Sequence, residues 1–215
     1  MSTIALPRLS SRRTLAPVDA DAPLLLARLR AGDEAAFVGL VAAHHDTMLR
    51  LASTFVSSRA VAEEVVQDTW LAVVRGIERF EGRSSLRTWL LTILVNRARS
   101  AGTREARSVP IADAGPAVDR SRFDSTGHWS SPPEHWVEDA ENRLGAAALA
   151  TLIRGALTDM PERQRAVITL HDVDGLRSDE VCEILSLTPA NQRVLLHRGR
   201  SHLRQALESA LGENG

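Results

Sequence analysis

Two groups of side chains in this sequence have the types and spacing for nucleic-acid chemistry. The first lies in a helical pattern at Leu86–Arg99. There Trp89, Thr92, Asn96 and Arg99 share one side, and Leu86, Leu90, Ile93 and Leu94 share another. A ring can stack on an unpaired base, an amide or hydroxyl can read its edge, and a guanidinium can track phosphate. Phe80, Arg83, Ser84 and Ser85 lead into this stretch, and Arg87 and Thr88 fall in its first turn. A buried Trp89 with polar neighbours would give the same pattern, since tryptophan is usually well buried. The second group lies near the C-terminus. On a helix from Pro189 to about Leu211, Arg193, His197, Arg200 and Arg204 fall within about 60° of one another. Arg198 adds a further cation. Guanidinium forks bind phosphate or guanine edges in bidentate fashion, and the amides of Asn191 and Gln192 suit adenine. A solvated basic stripe would look alike. Here, however, a short helix at Ser178–Leu185 and a tight turn at Ser186-Leu187 come first, which is helix-turn-helix order.

Other chemistry finds no support. The seven His are scattered, and His44-His45 are adjacent rather than spaced as helical ligands. There is no Gly-rich phosphate loop, no zinc spacing and no Ser-His-Asp arrangement. We therefore expect no catalytic activity, no cofactor and no metal. The single Cys182, between Val181 and Ile184, reads as a small core residue and excludes a disulfide framework. It suits a reducing, cytoplasmic setting. The longest apolar runs, such as Val38–Ala43, are far short of the roughly 20 residues that span a bilayer, so no membrane insertion is expected.

The elements that must position these groups are helical throughout. Residues 1–22 are rich in Ser, Pro, Ala and Arg without periodicity and read as a disordered tail. Four helices follow in a domain spanning 23–103: Leu24–Arg30, Glu34–Val56 capped by Asp33, about Ala60 to Phe80, and Leu86 to about Arg99. Ser84 or Ser85 caps the last of these and Gly102 ends it. Val66, Trp70, Val73 and Ile77 form one apolar stripe on the third helix. Residues 104–140 hold Pro110, Pro116, Pro132 and Pro133 and lose the pattern. A stretch this long is a linker rather than a loop of one compact domain. Trp129 and Trp136 inside it suggest that it docks on something. A second domain, 141–211, runs through helices to Leu157, Arg163–Val173 and Ser178–Leu185, with Ser178 as a cap. Thr188 caps the final helix. The expected class is all-α: two small helical domains joined by a long flexible linker.

Charge follows this division. The 215 residues carry 26 cations, all Arg, and a formal net charge of −1, which taken whole argues against a nucleic-acid partner. Segment by segment, residues 75–108 carry +5 and residues 109–142 carry −5. Phosphate binding needs only such a local patch. The third helix has a contrasting acidic side at Glu63, Glu64, Gln67 and Asp68, which is a solvated surface or a dock for a partner helix.

These stretches resemble a known family, the extracytoplasmic-function (ECF) sigma factors of bacterial RNA polymerase, in the sigma-70 family. Residues 62–99, AEEVVQDTWLAVVRGIERFEGRSSLRTWLLTILVNRAR, are similar to its region 2. Residues 157–204 are similar to its region 4. The resemblance implies a set of roles. Glu63, Glu64, Gln67 and Asp68 would dock on the clamp helices of the largest polymerase subunit, and region 4 would meet the flap of the second-largest. Phe80, Arg83, Ser84, Ser85, Arg87, Thr88, Trp89, Thr92, Asn96 and Arg99 would hold the melted −10 element, with Asn96 at a flipped-out base. Asn191, Gln192, Arg193, His197, Arg198 and Arg200 would enter the major groove at the −35 element. The acidic linker would thread towards the polymerase active-site cleft, and GHWSSPPEHW (127–136) is similar to a linker motif of one subset. An anti-sigma factor is an implied partner. The chain departs from the family at Asn191-Gln192-Arg193-Val194, where many members have Thr-Val-Lys/Arg-Ser, and at Gly199, where Ala is common. Two rival functions fit the residues alone: a stand-alone helix-turn-helix regulator, and an interaction protein without a DNA role.

Overall fold

The computed structural model describes residues 22–108 and 146–213. Eight α-helices occur among them and no strand: α1 (Ala22–Arg30), α2 (Glu34–Ala52), α3 (Arg59–Gly76), α4 (Leu86–Ser108), α5 (Ala146–Thr158), α6 (Glu162–Ile168), α7 (Ser178–Leu185) and α8 (Pro189–Glu213). A 3-10 turn, Ile77–Arg79, extends α3, and a π-turn, Thr169–Val173, extends α6. The all-α expectation is met. The expected tail and most of the expected linker, including Trp129 and Trp136, lie outside the described residues.

Local chemistry starts several helices where the sequence pattern places them. The Ala36 N–H donates to the Asp33 carboxylate at 3.1 Å, and the Thr88 N–H donates to Ser85 Oγ at 3.0 Å. The Asn191 N–H donates to Thr188 Oγ1 at 3.2 Å. Each satisfies a backbone donor that the first helical turn leaves open. Ser178 is not a cap. The cap position falls to Arg177, whose N–H donates to the Glu180 carboxylate at 3.0 Å. Between α7 and α8, Ser186 adopts the left-handed conformation, φ 54°, and the Leu187 N–H reaches back to the Cys182 carbonyl at 2.9 Å. That geometry closes α7 and turns the chain sharply into α8.

The fourth helix corrects the expected boundary. It passes Gly102 and continues to Ser108, so residues 104–108 belong to α4 and not to the linker. Gly102 serves packing instead: a Cβ there would overlap the Phe55 carbonyl oxygen. Three residues on, the Glu105 carboxylate accepts from the Ser57 N–H and the Ser57 hydroxyl, both at 2.9 Å. The late turns of α4 are thereby pinned to the α2–α3 loop. Gly199 has a similar reason. A Cβ on it would stand 2.6 Å from Ile168 Cγ1, so the absent side chain lets α8 approach α6.

Leu40, Met48, Leu51, Val66, Val73, Leu90, Leu91 and Leu94 fill the N-terminal core. Leu149, Ile153, Met160, Ile168, Leu203 and Leu207 form a second cluster under α8. The two halves are not apart in space. Val167, Leu170, Val181, Ile184 and Leu185 of the C-terminal half belong to the same continuous core as Leu90 and Leu94.

Candidate nucleic-acid and polymerase interfaces

The loop before α4 is held from three sides. Arg30, at the end of α1, donates to the carbonyls of Ile77 and Phe80. Phe80 packs on Trp89 with ring centroids 5.0 Å apart and planes inclined by 43°. Gly82, at φ +72°, turns the chain back towards Ser85. Trp89 is half-buried against Phe80 and Gly76, so it is at once a core residue and the edge of the loop surface. Arg83 is exposed and pairs with Glu81 at 3.1 Å. Ser84 is half-buried, as is Thr92, whose hydroxyl donates to the Thr88 carbonyl.

The stripe expected on α4 divides. Asn96 is exposed and lies on an open cleft of about 430 Å³ between α3 and α4, with Val65 and Ile93 as apolar lining and Asp68, Arg97, Ser100 and Arg104 as polar lining. An apolar floor edged by an amide, a hydroxyl, a carboxylate and two guanidiniums can hold a planar base and its phosphate. Arg87, Thr88 and Arg99 instead face the C-terminal half. Arg87 Nη2 donates to the Asp174 carbonyl at 2.8 Å, Thr88 Oγ1 to Glu180 Oε1 at 3.3 Å, and Arg99 Nη2 to the Leu185 carbonyl at 3.1 Å. Arg99 also lies over the Phe55 ring at 5.5 Å. Burial lowers the Arg99 pKa from its ordinary value. Thr88 is only 1% exposed.

On α8, Asn191, Arg193 and Arg198 are exposed and His197 is half-buried. Gln192 is 1% exposed and turned into the core, which removes it from any groove-reading surface in this arrangement. It lies on the stripe of Gly199, Leu203 and Leu207, and that stripe packs inward. Arg200 is also withdrawn: its Nε and Nη2 bind the Asp172 carboxylate at 2.9 and 2.6 Å, and Asp172 is nearly buried. The basic stripe is therefore partly structural, and the exposed cations at the start of the helix are Arg193 and Arg198.

On α3, Glu63, Glu64, Gln67 and Asp68 are all exposed. Leu71 and Val74, each 54% exposed, continue that surface. An acidic band ending in an exposed apolar pair matches in chemistry a helix that brings both cations and apolar groups.

Two family models match in this order, Sigma-70 region 2 at residues 40–108 and Sigma-70, region 4 at residues 150–203. The chain belongs to the sigma-70 family. Its relatives place this sigma factor in the ECF branch. It is 28% identical over 184 residues to the ECF RNA polymerase sigma-E factor of Haemophilus influenzae, covering 86% of this chain and 94% of the relative. It is 29% identical over 177 residues to the ECF RNA polymerase sigma-E factor of Escherichia coli K12, covering 82% and 89%. In fold, it is similar to CnrH solved in complex with the cytosolic domain of CnrY, with a TM-score of 0.58 and 24% identity over 89% of this chain and 99% of that one.

Three groups in the sigma factor's cleft were missed from sequence: Arg97, Ser100 and Arg104. Their spacing with Ile93 is helical, and continuing α4 past Gly102 would have joined them. Leu71 and Val74 were missed because an apolar residue on a helix reads as core until its neighbours are known.

Proposed function

We propose that this sigma factor binds core RNA polymerase, recognises −35 and −10 promoter elements and promotes promoter opening. The carrying observation is the cleft at Asn96. There the exposed Asn96 amide lies beside Arg97 and Arg104, within the region 2 match and on a different helix from Asn191, Arg193 and Arg198 of α8, which supports separate roles for the two surfaces. In this reading, Asn96 takes an unstacked base of the −10 element. The Phe80–Trp89 pair and Arg83, Ser84 and Ser85 support the strand around it, while Arg87, Thr88, Thr92 and Arg99 serve its backbone. Asn191, Arg193, His197 and Arg198 read the −35 major groove, with phosphate contacts setting register and base edges setting sequence. Glu63, Glu64, Gln67 and Asp68, with Leu71 and Val74, dock on the polymerase clamp, and region 4 meets the flap. The chain makes no phosphodiester bond itself and works where the polymerase works, in the cytoplasm. An anti-sigma protein acting on these surfaces is the further partner that family membership implies.

Run-off transcription with core polymerase on candidate promoters is the test. Sequence-specific initiation that depends on this chain is expected, and its absence rejects the reading. In the same assay, Asn96→Ala should impair opening at the −10 element while core binding persists.

A further inference from the structure

We propose that Val194 is a specificity-determining residue of α8 and reads the 5-methyl group of a thymine in the −35 element. The proposal rests on the −35 reading of α8 given above and adds to it a residue that reading leaves out. A single exposed valine is ordinary on a protein surface. Val194, 46% exposed, is singled out by where it stands. Gln192, Gly199, Leu203 and Leu207 form the buried stripe of the helix. At about 100° per residue, Val194 lies about 180° from Leu203, directly opposite the packed side. Arg193 lies about 100° to one side of it, and Arg198 and Asn191 about 40° and about 60° to the other. All three are exposed. An apolar group therefore forms the crest of the helix, with a cation on each flank.

That layout fits a major groove. A helix seated there turns its outward crest to the base edges and its flanks to the two phosphate walls. No Asp or Glu occurs from Pro189 to Leu207, so nothing on this stretch repels phosphate. Arg193 and Arg198 can take phosphate or a guanine edge, and the Asn191 amide an adenine edge. The Val194 side chain makes no hydrogen bond, and the groove presents one apolar group to meet it, the thymine methyl. Contact removes both apolar surfaces from water, whereas an amino or carbonyl edge set against Val194 loses its water without a replacement partner. One side chain thereby favours thymine and disfavours the other bases. Its methyl groups are also held in place. A valine on a helix keeps one strongly preferred χ1 rotamer. Ser186, at φ 54°, and Thr188, whose Oγ1 accepts from the Asn191 N–H, fix where α8 begins.

The test uses the full-length chain assembled with core polymerase. Wild type and Val194→Ala each select from a promoter-length duplex library. Each thymine of the enriched −35 element is then replaced singly by deoxyuridine, which removes only the 5-methyl group. At one of these positions wild type should bind the uracil duplex about four-fold more weakly, as the burial of one methyl group gives. Val194→Ala should bind the two duplexes alike, and its own selected pool should lose the thymine preference there. Each comparison is a ratio within one protein, so a change in folded fraction or in core affinity cancels. Enriched thymines that wild type does not distinguish from uracil overturn the proposal. So do a uracil penalty that Val194→Ala retains in full and a −35 element without thymine. If wild type enriches no upstream element at all, the −35 reading falls and the proposal with it. An enriched element with indifferent thymines leaves that reading standing and removes only the role of Val194.

Discussion

At the scale of single residues, burial rather than identity decides what a group does here. His44 is 5% exposed on α2, and burial, with Arg87 nearby, lowers its pKa from 6.5 to about 4. The folded chain therefore refuses a proton that the unfolded chain accepts between those two values. The sign follows: the contribution is fully present above pH 6.5 and is lost as pH falls towards 4. The loss amounts to on the order of 3 kcal/mol, at about 1.4 kcal/mol per pK unit. Urea unfolding measured between these pH values should show it, and His44→Gln should flatten the difference. An unchanged pH slope in the variant would assign the effect to other groups. The same principle explains Gly199, which at first reads only as a poor helix former. Its cost in propensity, about 1 kcal/mol, is offset by an approach of α8 to Ile168 that a methyl group would block.

At the scale of elements, α8 combines two jobs that sequence spacing cannot separate. Arg198 is exposed, whereas Arg200 forks onto the nearly buried Asp172. Arg198→Ala should weaken binding to −35 duplex DNA and lower the salt dependence by about one counterion, with folding stability unchanged. Arg200→Ala should instead cost about 2 kcal/mol of folding stability, because the Asp172 carboxylate loses its bidentate partner. Salt-titrated DNA binding alongside denaturant unfolding checks both, and a reversed pattern would exchange the two roles. Element boundaries were legible at Asp33, Ser85 and Thr188, where a side chain reaches a backbone group three residues away. They were not legible at Gly102. What pins α4 beyond that point is Glu105 on Ser57, from a loop almost 50 residues earlier.

At the scale of the whole molecule, the two halves share a core, although their sequences read as separate domains. With Leu90 and Leu94 continuous with Val181, Ile184 and Leu185, opening exposes apolar area from both sides. The full chain should therefore unfold in one cooperative transition, coincident by circular dichroism and tryptophan fluorescence. Two separated transitions would show that the halves do not stabilise one another.

The sequence by itself determined the helical class, the order of the two regions, most caps and the acidic and basic surfaces. All of these are written in charge, periodicity and contacts spanning three or four residues. Tertiary structure decided which members of each stripe face outward. It turned Gln192 and Arg200 inward and left Arg193 and Arg198 outside; it split α4 between an open cleft at Asn96 and a covered side at Thr88. The physical reason is range. Asp174 meets Arg50 across 124 residues and Arg99 meets Leu185 across 86, so neither pairing leaves a trace in local spacing. Those distant partners, and not the helix that carries a residue, fix whether a guanidinium is free for phosphate or held by the protein's own oxygens.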